Sequence, residues 1–156
     1  MFKWISGLVT HGIALFIGFA LGIYMLPILT APEGPSEVEV TAAAQQAVYK
    51  AELIRDLPGS DFLHWGEGEI AVSPKQITFM GEMAPGPDYI LYLTRELVVD
   101  EASFLKIKSD SAKIGPVKTF DRFVLDIHDG IDPADFKAVI VWCESFSEFI
   151  TAASYR

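Results

Sequence analysis

The chain has 156 residues, 21 Asp and Glu against 12 Lys and Arg, a formal net charge of −9 and a single cysteine. That length suits one ordinary domain, and the negative balance excludes a surface that grips nucleic acid or anionic lipid unaided. A lone cysteine excludes an intrachain disulfide, a Cys-x-x-Cys pair and a Cys-x-x-Cys-His haem-attachment motif.

Residues 1–30 carry one formal charge, Lys3, and the 25 residues from Ile5 to Leu29 carry none. At 1.5 Å per residue such a run exceeds the roughly 30 Å of bilayer hydrocarbon and predicts a transmembrane helix. A cleaved signal peptide has an apolar stretch of only about 7–15 residues, so an uncleaved anchor is the expectation. Lys3 precedes the span and Glu33, Glu37 and Glu39 follow it. The positive-inside rule then predicts a single-pass protein with its N-terminus in the cytoplasm and its domain periplasmic or extracellular. Ala14, Gly18 and Gly22 recur every four residues, a spacing at which two helices can pack as a homodimer, although ordinary glycine content accounts for the same stripe more simply. His11, two turns from the start of the span, reads as an imidazole that reaches interfacial water.

Residues 31–57 read as a linker with a stalk or first helix. The stretch 30–40, rich in Pro, Gly and Glu, predicts an extended, solvated spacer, and the helix formers of 41–56, with Ala44, Val48 and Ala51 at helical spacing, predict a helix. From residue 58 to 156 short apolar runs alternate with Gly, Pro, Asp and Ser, which predicts an all-β, sandwich-like domain. Strands are expected near Glu69–Val72, Gln76–Gly81, Tyr89–Thr94, Val117–Phe120, Arg122–Ile127 and Ala138–Trp142. The run Ala-Val-Ile-Val-Trp-Cys, residues 138–143, is apolar at every position and predicts a central strand. Ala138, Ile140 and Trp142 should face one side of it, Val139, Val141 and Cys143 the other.

No Gly-rich phosphate loop, Gly-x-Ser-x-Gly elbow or His-Glu-x-x-His pair occurs, which disfavours the enzyme classes these motifs announce. In Asp61-Phe-Leu-His64-Trp-Gly66-Glu-Gly68 the alternate glycines predict a bent strand or a close backbone approach beside His64. Taken alone, His64 reads as an ordinary hydrogen-bonded histidine. Cys143 has no cationic residue within five positions and reads as a packed apolar residue. Asp126, His128, Asp129 and Asp132 lack the alternating spacing of a calcium loop, so a turn is expected there and no metal site.

Four segments, 61–68, 81–94 (Gly-Glu-Met-Ala-Pro-Gly86-Pro87-Asp88-Tyr89-Ile-Leu-Tyr-Leu-Thr), 114–120 and 139–156, together resemble the electron-transfer DM-thirteen domain family in its bacterial membrane-anchored form. The Gly86-Pro87-Asp88-Tyr89 turn and the Trp142-Cys143 strand end are the most specific parts. The resemblance implies a β-sandwich-like domain with a proposed electron-transfer role. In that role Cys143 is a naked thiol or a ligand to a prosthetic group such as haem. The chain departs from animal members at Phe120-Asp121, commonly a glycine-containing stretch there, and matches loosely between Val98 and Lys113. If iron is bound, His64 is the expected second ligand, provided that it lies across one pocket from Cys143. Met80 and Met83 offer thioethers whose simpler use is core filling. Two functions therefore stand: a membrane-tethered redox module centred on Cys143 with an envelope redox partner, or a binding or scaffolding sandwich whose cysteine is only packed.

Overall fold

The computed structural model describes residues 2–156. Helix α1, Phe2–Thr30, has Lys3 as its one formal charge and is long and apolar enough to cross a membrane. His11 Nδ1 lies 2.7 Å from the Gly7 carbonyl and so has a partner within the helix.

The following segment is irregular and largely solvated over 31–36, as its composition predicts, but turns helical at Glu37, where an extended chain was expected. Ser36 caps helix α2, Glu37–Ala44, through a capping box: its hydroxyl accepts from the Glu39 amide while Glu39 reaches back to the Ser36 amide. Val40 buries α2 against the domain. Arg122 Nε donates to the Pro35 carbonyl at 2.7 Å, and its guanidinium lies 3.6 Å from Glu37. The second half of the linker is therefore docked on the domain.

The helix expected over 41–56 ends at Ala44, and Tyr49–Leu53 forms strand β1 instead. Tyr49, Ala51 and Leu53 turn inward at alternate positions, and pairing with β2 overrides the helical propensity of the surrounding alanines. The remaining strands are β2, Gly66–Val72; β3, Gln76–Met83; β4, Tyr89–Thr94; β5, Ala112–Val117; β6, Arg122–Asp126; β7, Ala138–Cys143; and β8, Glu148–Ser154. They form two antiparallel four-stranded sheets, ordered β1-β2-β3-β6 and β5-β4-β7-β8, packed as a sandwich.

The strand expected at Val117–Phe120 lies earlier, at β5. Pro116 is tolerated there because β5 is an edge strand, where a missing N–H breaks no inner ladder. β8 and helix α3, Glu101–Ile107, capped by Asp100, were not expected: in β8 the strand formers Phe149, Ile150 and Thr151 are followed by Ala152 and Ala153, which favour a strand little and shorten the visible run.

β7 behaves as its pattern requires. Val139, Val141 and Cys143 enter the core between the sheets. Ile140 and Trp142 enter a second core with Phe104 of α3, whose ring centroid is 4.9 Å from that of Trp142. With both faces covered, every residue of the strand can be apolar.

At Gly68, φ is +134°, and a Cβ there would meet the Met80 carbonyl oxygen at 2.4 Å; a Cβ on Gly81 opposite would meet the Glu67 oxygen at 2.1 Å. The two glycines let β2 and β3 approach across a kink, as the alternate-glycine pattern predicts. The loops that begin β2 and β4 and end β3, β5 and β7 all gather at one end of the sandwich, and the linker docks at that same end. The Ser73–Lys75 turn and the Asp126–Asp132 loop lie at the opposite end.

Candidate functional site

The end of the sandwich nearest α1 carries a cavity of about 550 Å³ between that helix and the domain. Cys143 and His64 both border it, together with Tyr89 and the Pro85-Gly86-Pro87 turn. Residues 79 positions apart in sequence thus meet because β7 ends where the loop before β2 closes over the sandwich.

Each side chain has a local reason for its place. Asp61 Oδ1 accepts from the amides of Leu63 and His64 at 2.7 and 2.8 Å, which folds residues 61–64 into a tight loop. Its Oδ2 lies 3.0 Å from His64 Nδ1. A carboxylate is an acceptor only, so Nδ1 carries a proton and Nε2 is the ring nitrogen left free of Asp61. This is the carboxylate–imidazole arrangement that orients metal-ligating or basic histidines. Partial burial opposes the charge on Asp61, but the hydrogen bonds from the His64 side chain and the Leu63 amide outweigh it and hold its pKa below the usual carboxylate value.

The Gly86–Tyr89 turn is built around the tyrosine ring. A Cβ on Gly86 would lie 2.3–2.4 Å from Tyr89 ring and hydroxyl atoms, so only glycine lets the ring fold back on the turn. Phe120 meets that ring edge-on, with centroids 6.0 Å apart. Asp88 ties this turn to the one after β7: its carbonyl accepts from the Glu144 amide at 2.9 Å and its carboxylate from Ser145 Oγ at 2.9 Å.

Cys143 is 3% exposed and pairs across the ladder with Tyr89. Burial pushes its thiol pKa up, while backbone N–H groups of Phe146, Ser145 and Asp88 pull the other way without cancelling the shift. A free thiolate nucleophile is thus disfavoured at neutral pH. The same amides around the sulfur would stabilise negative charge on a coordinated thiolate.

The other sequence-selected residues do not join the cavity. Trp142 points into the second core, fully buried, with Nε1 unpartnered among the described residues. Met83 fills the main core, and Met80 faces outward. In the Asp126–Asp132 loop, Asp126 accepts from Gln76 and Asp132 caps a short helical turn. Among the described residues no group of three or more His, Cys, Asp or Glu is placed to hold a metal ion.

Sequence reasoning passed over two contributors. The first is Asp61, legible as an Asx-type turn before His64. The second is Glu144, adjacent to Cys143 but directed to the opposite face. There Lys108 Nζ lies 2.5 Å from Glu144 and the Tyr92 hydroxyl donates to the same carboxylate. Burial opposes the charge on Glu144, but Lys108 and Tyr92 outweigh it and lower its pKa. The pair Lys108–Glu144 braces the strand end that carries Cys143.

The model of the family described as electron transfer DM13 matches residues 59–155. The chain belongs to the DM13 family. The match covers β2 to β8 and every domain residue that borders the cavity, whereas α1, α2 and β1 precede it. No curated protein and no solved structure matches the chain. The DM13 assignment supports a redox role for the domain.

Proposed function

We propose that this protein is a membrane-tethered electron-transfer module in which Cys143 is the redox or cofactor-bearing residue and His64, oriented by Asp61, is its partner across the cavity. The observation that carries this reading is that Cys143 and His64 border one cavity. In this reading α1 is an uncleaved anchor with its N-terminus in the cytoplasm, and the domain works in the periplasm or outside the cell with an envelope redox partner.

A soft thiolate and an imidazole form a donor pair suited to haem iron, which when bound supplies a one-electron store. The chain's own contribution would be to hold the sulfur among backbone amides, fix the imidazole tautomer through Asp61 and keep water from the sulfur with Tyr89. The test is an absorbance spectrum of the full-length protein purified from membranes, repeated for Cys143→Ala. A Soret-type band lost in the variant supports the reading, whereas a colourless protein whose native thiol resists modification sinks it.

One observation favours the second reading. Cys143 is almost wholly buried with its thiol pKa pushed up, as in a cysteine that only packs. The domain would then be a binding or scaffolding sandwich, colourless and labelled only after unfolding.

A further inference from the structure

We infer that the cavity end of the sandwich docks onto the bilayer that holds α1, with Phe62, Leu63 and Phe146 inserted at the lipid interface around the mouth of the Cys143 cavity. Phe62 is 85% exposed, Phe146 51% and Leu63 40%. Pro85 and Pro87 lie at the same mouth. Apolar side chains grouped this way around a cavity mouth mark an interaction surface.

Three observations choose lipid as the occupant. First, Gly34 lies against Thr119 and the Pro35 carbonyl is held by Arg122, which leaves only residues 31–33 between the end of α1 and the docked linker. Three residues reach at most about 11 Å, so the end of the sandwich that receives the linker cannot leave the membrane surface. Second, that end is the one bearing the apolar rim, while the Asp126–Asp132 loop points away. Third, the surface that faces the rim across the cavity is α1 itself, through Phe16, Ile17, Leu21 and Tyr24. That helix is long and apolar enough to span a bilayer, so the rim already meets the kind of apolar surface that the membrane presents, and acyl chains beside α1 fit the rest of it.

Acidic neighbours set the mode of docking. Asp61 and Asp88 flank this end without a Lys or Arg partner among the described residues, Asp121 is paired with Arg122, and Lys118 is the exposed cation beside them, so the charge around the rim offers anionic headgroups no net attraction. Insertion is therefore apolar: it persists at high salt and needs no anionic lipid.

The inference rests on the membrane-anchored reading but not on any chemistry of Cys143. The test uses the full-length chain reconstituted in phosphatidylcholine vesicles, in a Cys143→Ser background, with an NBD fluorophore on Phe146→Cys or, at the opposite end, on Asp129→Cys. The expected result is a blue-shifted probe at 146, quenched several-fold more than the probe at 129 by lipids spin-labelled near the headgroup. Equal, water-like emission at both positions overturns the inference, as does a shielded probe at 146 that lipid quenchers do not reach, which would assign the rim to α1 or a second copy. Hydrogen exchange on the unsubstituted chain gives an independent reading. Amides of 61–64 and 144–147 should exchange more slowly in nanodiscs than in detergent, and equal rates in the two count against docking. Release of the chain by alkaline carbonate would instead overturn the anchored reading itself.

Discussion

Replacing Gly86 with Ala tests how the Gly-Pro-Asp-Tyr turn holds the site. The added Cβ would lie 2.3 Å from Tyr89 Cε1 and 2.4 Å from its Cζ and hydroxyl oxygen, about 1 Å inside ordinary contact. The ring is tightly held: Tyr89 is 3% exposed, Phe120 meets it edge-on and β5 and β7 flank its strand, so it can yield only towards the cavity it borders. Overpacking of this kind costs about 1–3 kcal/mol, which for a domain of this size lowers Tm by roughly 3–15 °C. The assay is thermal unfolding of the full-length protein in detergent, paired with the rate at which a maleimide reaches Cys143, whose cross-strand neighbour is Tyr89. The variant should unfold earlier and label faster. Adding Tyr89→Leu removes the struck atoms, so the double variant should be less destabilised than the two single losses added together. A Tm within about 1 °C of the parent, or strict additivity in the double variant, would refute the account of the turn.

Because the thiol of Cys143 ionises above its ordinary value of 9.0 when folded, the stabilisation from keeping it neutral is complete below pH 9 and is lost as pH rises through the folded value. Denaturant midpoints of the parent should therefore fall more steeply above pH 9 than those of Cys143→Ala. Asp61 and Glu144 have lowered pKa values, so their contribution is present above the ordinary carboxylate range and is lost as pH falls through the folded values. Asp61→Asn should accordingly flatten the acid limb of the stability profile, measured as denaturant midpoints between about pH 2 and 6. Lys108→Met leaves Glu144 paired only with Tyr92 and should cost about 1–3 kcal/mol in a chemical denaturation series. Ser147 holds φ at 56°, a region that favours glycine, so Ser147→Gly should raise the unfolding free energy by up to about 1 kcal/mol, read as a higher denaturant midpoint at unchanged slope.

What could be read in advance depended on whether one strand or several elements set the local pattern. β7 was legible with its two faces because six consecutive apolar residues leave a strand no solvent side. β4 was found at its full length because a Gly-Pro-Asp turn marks its start. β1 was hidden because the helix formers before it outvote Tyr49-Lys-Ala-Glu-Leu53 in any local window, and only pairing with β2 decides the contest. The capping box at Ser36 and Glu39 was a local signal for α2, masked by the prolines just before it.

The site was half legible for the same reason. Cys143 stood out by its position at the end of a buried strand, and the glycines after His64 marked a distorted one. Their meeting at one cavity was not legible, because it depends on the β4–β7 register, on the loop fixed by Asp61 and on the packing of Thr151 against Gly66, which joins the two sheets at that end. Thr151 Oγ1 lies 3.3 Å from the Gly66 carbonyl, and a Cβ on Gly66 would come within 2.8 Å of the Thr151 methyl. A side chain at position 66 would therefore push the start of β2, and the His64 loop before it, away from β8, the neighbour of the strand that carries Cys143. The closeness of the two sheets at this one contact keeps the imidazole and the thiol on a shared cavity, and it links the glycine pattern of 66–68 to the chemistry proposed for the domain.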